Sequence, residues 1–227
     1  MDFERRRQVV RERIEAACAR CGRDPSGVEL LAVSKRHAEA AIRDAWLSGQ
    51  RTFGESRVQE LVAKSKGLAD LEGMEWQLIG SLQTNKVAAL LQVPGLSLIH
   101  SLDRAKLADV IQLHAAELER RFDVLLQVAA TDEASKHGVT VEDASKLAAH
   151  VAVSCPALRL RGVMAMGPRE GDPAPVFERV AQLRSELAEQ LAVDLPVLSL
   201  GMSGDLDAAV AAGTTLVRVG TALFGSR

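Results

Sequence analysis

A lysine closes an apolar run of strand length: Val28, Leu30, Leu31, Ala32 and Val33 lead into Ser34 and Lys35, and the polar Arg36 and His37 follow. Where strands are parallel, ligands bind at their carboxyl ends, so Lys35 is a candidate imine-forming amine. The plainer alternative is an ion-paired or solvated lysine. Near the other end of the chain, VLSLG is followed by MSGDLDAAVAAG, in which Ser203 and Gly204, next to Met202, are expected to open a short helix ending at Gly213. A helix start has unpaired N–H groups and about half a positive charge, which suits phosphate. After LVRVG comes Thr221, and Gly220 would let backbone approach a ligand closely. A cap at Ser203 and a packing role at Gly220 are the competing readings. Arg218 interrupts an apolar run, so it is expected to point into the interior and meet either a carboxylate or an acceptor on a ligand, such as a ring nitrogen.

The elements that must position these groups alternate along the chain. Strands are expected at Val28–Ser34, Thr52–Gly54, Trp76–Gly80, Leu96–His100, Asp123–Val128, Arg159–Met166, Val197–Gly201 and Leu216–Gly220. Helical patterns lie between them, clearest at Ala38–Leu47, Arg57–Ala69, Asp103–Arg120, Val141–Val153 and Pro175–Leu191. Alternation of this kind implies parallel strands joined by right-handed crossovers. Eight strands at a spacing close to the roughly 30 residues per unit of a (β/α)8 barrel favour an α/β fold with a closed TIM-type barrel. An open doubly wound sheet would carry a GxGxxG turn after its first strand, where this chain has SKRHAEAA. Val10, Ile14, Ala17 and Cys21 form the face of an extra N-terminal helix outside the repeat. The loop 167–174 reads as a barrel loop, so residues 1–227 are expected to form a single domain.

Composition narrows the class. A net charge of -2 and a 47% hydrophobic share describe an ordinary globular chain with no basic excess for nucleic acid. No run is of signal-peptide or membrane-spanning character, so no membrane association is expected. Three cysteines, an odd number, argue against a disulfide framework and for a reducing, cytoplasmic location. Cys18 and Cys21 form a CxxC, but within a helical pattern and without a second ligand pair, so no metal site is expected.

Barrels frequently bind phosphate with the loops after strands seven and eight. Lysine, phosphate cradle and ring-facing arginine together describe a pocket for pyridoxal 5'-phosphate (PLP), with a Schiff base at Lys35 and the phosphate against Ser203, Gly220 and Thr221. The segments LLAVSK, FGESRVQE, WQLIGSLQTNK, SK.G (Ser135, Lys136, Gly138), RLRGVMAM, LSLGMSGDL and VRVGTALFGSR occur in order over nearly the whole chain. On them the chain resembles the YggS/PROSC family of PLP-binding, PLP-homeostasis proteins, whose barrel is similar to the N-terminal domain of alanine racemases. The resemblance implies Lys35 as the Schiff-base lysine, Met202, Ser203, Gly220 and Thr221 around the phosphate, and Arg218 near the pyridine nitrogen. The chain departs from the family at Ser56, where asparagine is common, at Arg57, where an aromatic is common, and at Ser81, where histidine is usual. Ser56 can keep one of the hydrogen bonds that asparagine would make, with a shorter reach.

Racemisation needs a base on each face of a planar carbanion, and the racemases that resemble this barrel use lysine and tyrosine. This chain has no tyrosine, and neither Cys155 nor a histidine sits at an expected strand end beside the pocket. The second domain by which alanine racemases complete their site is expected to be absent. The reading is therefore a monomeric PLP carrier or reservoir with no catalytic residues, supplying PLP-dependent apoenzymes. A PLP-dependent racemase, or a barrel enzyme forming an imine with a sugar phosphate, is the alternative. Lys136, in the polar loop ATDEASKHG, is either a solvated lysine or a second amine that accepts PLP from Lys35.

Overall fold

The computed structural model describes residues 2–131 and 138–225; Lys136 lies outside them. Strands β1 (Glu29–Val33), β2 (Thr52–Glu55), β3 (Glu75–Leu78), β4 (Leu96–Leu102), β5 (Phe122–Ala129), β6 (Val139–Thr140), β7 (Leu158–Ala165), β8 (Val197–Ser199) and β9 (Leu216–Val219) are all parallel. Eight of them close a ring in the order β1-β2-β3-β4-β5-β7-β8-β9, and β9 returns to β1 with Leu30 opposite Val217 and Leu31 opposite Arg218. The expected closed barrel is therefore present. The two-residue β6 pairs with β5 outside the ring and is too short to leave a periodic trace in the sequence.

Helices α1 (Phe3–Arg20), α2 (Glu39–Leu47), α3 (Val58–Gly67), α4 (Val87–Leu91), α5 (Ala105–Glu117), α6 (Val141–Ser154), α7 (Ala174–Leu191), α8 (Leu206–Ala211) and α9 (Thr221–Phe224) cover the strands. Both strand faces are thus buried, which explains the near-continuous apolar runs. Successive strand residues point to opposite faces. Leu30 and Ala32 accordingly join the layer under the helices, whereas Leu31 packs with Leu98, Leu125, Met164 and Leu216 inside the barrel. Gly162 in β7 has φ +150°, and a Cβ there would lie 1.8 Å from the Val197 carbonyl oxygen. Only glycine lets β7 pair with both β5 and β8 at that level.

Two expectations need correction. The N-terminal helix buries Val10, Ile14, Ala17 and Cys18, while Cys21 lies exposed at its C-cap. Cys21 is in phase with the apolar stripe, but the helix ends at Arg20, and the C-cap backbone (φ -113°, ψ 14°) no longer carries its side chain onto that face. The helix after β8 begins at Leu206 rather than at Ser203. Asp205 is its N-cap, and the Asp205 carboxylate accepts the Met202 N–H at 2.6 Å, so residues 202–205 form a turn of their own. Among the described residues, no helix is long and apolar enough to cross a membrane.

Candidate functional site

The carboxyl ends of the barrel strands surround a cavity of about 460 Å³, within the usual range for small-molecule sites. All seven residues singled out from the sequence line it: Lys35, Ser56, Met202, Ser203, Arg218, Gly220 and Thr221. Ser81 and Gln127 add polar groups, and Met164, Met166 and Met202 form an apolar wall. The floor is tight where β2 meets β3, because a Cβ on Gly80 would lie 2.0 Å from the Ser56 carbonyl oxygen.

Lys35 follows β1 in a turn closed by the His37 N–H to the Ser34 carbonyl at 3.0 Å. Because β1 and β9 are paired, this turn stands beside Gly220 and Thr221, which begin the four-residue α9. The first N–H groups of a helical turn have no acceptor within it, so at Thr221, which lines the cavity, it is α9 and not a helix opened by Ser203 that presents its start there. The Ser203 loop is held from behind by the N-terminal helix: Arg13 donates to the Ser203 carbonyl at 2.6 Å and also pairs, with Arg20, to Asp207.

Arg218 is buried, and its partners are not the carboxylate of a core layer. Its guanidinium donates to the Ser199 carbonyl at 2.7 Å, the Ser199 hydroxyl at 2.6 Å and the Ala165 carbonyl at 2.9 Å. Burial lowers its pKa to about 10, against the charge of Asp205, so the group is cationic at neutral pH. Carbonyls and one hydroxyl fix its orientation while it lines the cavity.

Behind Arg218 lies a group that reading by strand ends missed. His100, in β4, is fully buried, with Nε2 2.7 Å from Gln77 Oε1 and Nδ1 3.1 Å from the Ser199 hydroxyl. A carbonyl oxygen can only accept, so Nε2 carries the proton and the Ser199 hydroxyl donates to Nδ1. Burial, with the charge of Arg218, holds the imidazole neutral, its pKa well below 6.5. The unfolded chain protonates near pH 6.5 and the folded one does not. This contribution to stability is therefore full above that pH and is lost as pH falls below it, by up to about 1.4 kcal/mol per unit. Urea unfolding between pH 5 and 7 is expected to show a steeper acid loss for the parent than for His100→Asn; parallel profiles would refute the assignment.

Cys155, considered as a second base, is buried at the C-cap of α6 beside Asp109 and His150. It does not line the cavity, and burial raises its thiol pKa. The donor set that does line the cavity is an amine, a guanidinium, hydroxyls and a helical turn. That set fits an anionic ring compound bearing a phosphate and an aldehyde.

Comparison with known proteins agrees with this geometry. The model of the alanine racemase N-terminal domain matches residues 7–227. A pyridoxal phosphate homeostasis protein of Escherichia coli (strain K12) is 44% identical over 231 residues, covering 96% of this chain and 94% of that protein. One of Aquifex aeolicus (strain VF5) is 41% identical over 221 residues, covering 96% and 95%. The structure of PipY from Synechococcus elongatus PCC7942 with PLP bound superposes with a TM-score of 0.82 at 36% identity, covering 93% of this chain and 99% of that one. The chain belongs to the pyridoxal phosphate homeostasis protein family, built on the alanine racemase N-terminal barrel.

Proposed function

We propose that residues 1–227 act as one PLP-holding domain that keeps the cofactor on Lys35 and releases it to PLP-dependent apoenzymes, without robust catalysis of its own. The observation that carries this reading is the convergence of Lys35, Arg218 and the Ser203–Thr221 side on one cavity of about 460 Å³. When bound, PLP supplies an aldehyde that an amine can hold through an imine. Lys35 provides that amine. Met202, Ser203, Gly220 and Thr221 surround the phosphate, and Ser56 offers a hydroxyl at the opposite wall. Arg218 keeps a permanent positive charge where the ring nitrogen would lie, which disfavours a proton there and weakens the ring as an electron sink. The absence of tyrosine and the position of Cys155 outside the cavity lining speak against a two-base racemase. The three free cysteines suit a reducing cytoplasm.

The test is spectroscopic. Purified protein mixed with PLP is expected to absorb at roughly 420 nm, the region of a PLP imine. Borohydride should then fix the label on Lys35, as read by peptide mapping. A preparation that stays colourless with PLP would favour a sugar-phosphate enzyme, and amino-acid turnover at ordinary enzymatic rates would favour a racemase.

A further inference from the structure

The peptide groups on either side of Lys35 are held by a single ion cluster, buried at Lys64 and Glu55 and partly exposed at Glu60. Lys64, on α3, is 7% exposed at its side chain, and its Nζ donates to the Ser34 carbonyl at 2.8 Å, to Glu55 Oε1 at 2.6 Å and to Glu60 Oε1 at 2.7 Å. Glu60 Oε1 also accepts the Arg36 N–H at 2.5 Å. Glu55 Oε1 also accepts the Ser34 hydroxyl at 2.7 Å. The carbonyl just before Lys35 and the N–H just after it are thus bound to neighbouring atoms of the same cluster. The turn needs such holding, because Arg36 sits at φ +62°, a left-handed conformation that costs a non-glycine residue roughly 1–2 kcal/mol. The Ser34 carbonyl uses both lone pairs, one on the His37 N–H and one on Lys64.

We propose that Glu60 and Lys64 are positioning residues for the Lys35 amine: by fixing the turn on both sides of Lys35 they hold the start of its side chain so that Nζ reaches the cavity. Nothing in a purely structural cluster requires contact with these two peptide groups; an ion pair tying α3 to β2 would be complete with Glu55 and Lys64 alone. The cluster also carries strain of the kind seen where function constrains structure, since Glu55 Oε2 is buried without a partner. Burial raises the pKa of Glu55, Lys64 and Ser34 acting against it. Burial pushes Glu60 up as well, but hydrogen bonds from Lys64 and the Arg36 N–H outweigh it and hold that carboxyl below the ordinary range.

The inference rests on Lys35 being the amine that holds PLP, and the experiment separates the two ideas. Three proteins are compared: the parent, Glu60→Gln, whose amide oxygen still accepts from the Arg36 N–H, and Glu60→Met, which cannot. Imine formation is followed at 420 nm after mixing with PLP, and non-covalent affinity is measured with 4'-deoxypyridoxine 5'-phosphate, which lacks the aldehyde. Misplacing a reacting group costs rate, so Glu60→Met is expected to form the imine about tenfold more slowly and Glu60→Gln to stay within about threefold of the parent. Affinity for the analogue should be unchanged in both. In the cofactor-free proteins, the Arg36 amide should exchange its hydrogen faster in Glu60→Met only. Equal imine rates in all three proteins, or a loss of analogue affinity matching the loss of rate, would overturn the positioning role. Should Glu60→Met not fold, Glu60→Ser, too short to reach the Arg36 N–H, takes its place with the same expectations. A parent protein that forms no imine on Lys35 would instead overturn the proposed function.

Discussion

Lys35→Ala is expected to lose the 420 nm band and the borohydride-stable label at position 35, while the protein still takes up PLP weakly. The cavity's other groups do not depend on the lysine: Arg218 is fixed by Ser199 and Ala165, and the turn at Gly220 is closed by its own backbone. What disappears is the covalent link, and the apparent affinity should fall by at least about a hundredfold, or 2.7 kcal/mol. The measurement is PLP retained after gel filtration, with the analogue 4'-deoxypyridoxine 5'-phosphate as control. Because that analogue has no aldehyde, its affinity should scarcely change. If Lys35→Ala keeps a borohydride-stable label, mapping will show whether Lys136 has accepted it. Undiminished retention of PLP with no label on any lysine would sink the tether.

The second large effect concerns stability. Among the described residues, Lys64→Met removes the only cation that contacts both Glu55, which is fully buried, and Glu60. Breaking a buried pair from one side leaves uncompensated charge, at a cost of roughly 3–5 kcal/mol. Urea unfolding should show this as a large drop in midpoint. Replacing Glu55 as well, in Lys64→Met/Glu55→Leu, should recover a substantial part, because the buried carboxylate goes with its partner. A midpoint within the range of ordinary surface substitutions for Lys64→Met, or no recovery in the double variant, would show that the cluster does not carry this charge balance.

The sequence revealed the site's perimeter better than its supports. Lys35 was legible because an apolar run stops at it, and the barrel rule about strand ends then located Ser56, Ser203 and Thr221 as well. Arg218 was legible as a charge inside a strand, although its partners were not, since Ser199 and Ala165 come from β8 and β7. The start of α8 was misread because Ser203-Gly204 resembles a cap, whereas Asp205 binds the Met202 N–H and takes that place. His100 follows Leu98 by two residues in β4, on the barrel's interior face, so strand periodicity held a signal that attention to strand ends passed over. Lys64 lies three residues after the buried Leu61 in α3, on the apolar stripe, amid the polar run KSKG. Its burial is decided by Ser34 and Glu55, contacts between different elements that no local pattern contains.

The pairing of β1 with β9 makes the site depend on closure of the ring. Of the turns around the cavity, the one that carries Lys35 follows the first strand of the ring and the one that carries Thr221 follows the last, so the pocket is complete only once residues beyond β9 have been synthesised. Ring closure joins segments nearly the whole chain apart, a high-contact-order event that is slow for entropic reasons. A ligand gripped by both turns binds only the closed ring and therefore stabilises it by mass action. On the proposed function, PLP held by both turns would be a latch across the seam, and anything that frays β1 from β9 would loosen the grip on the cofactor at the same moment.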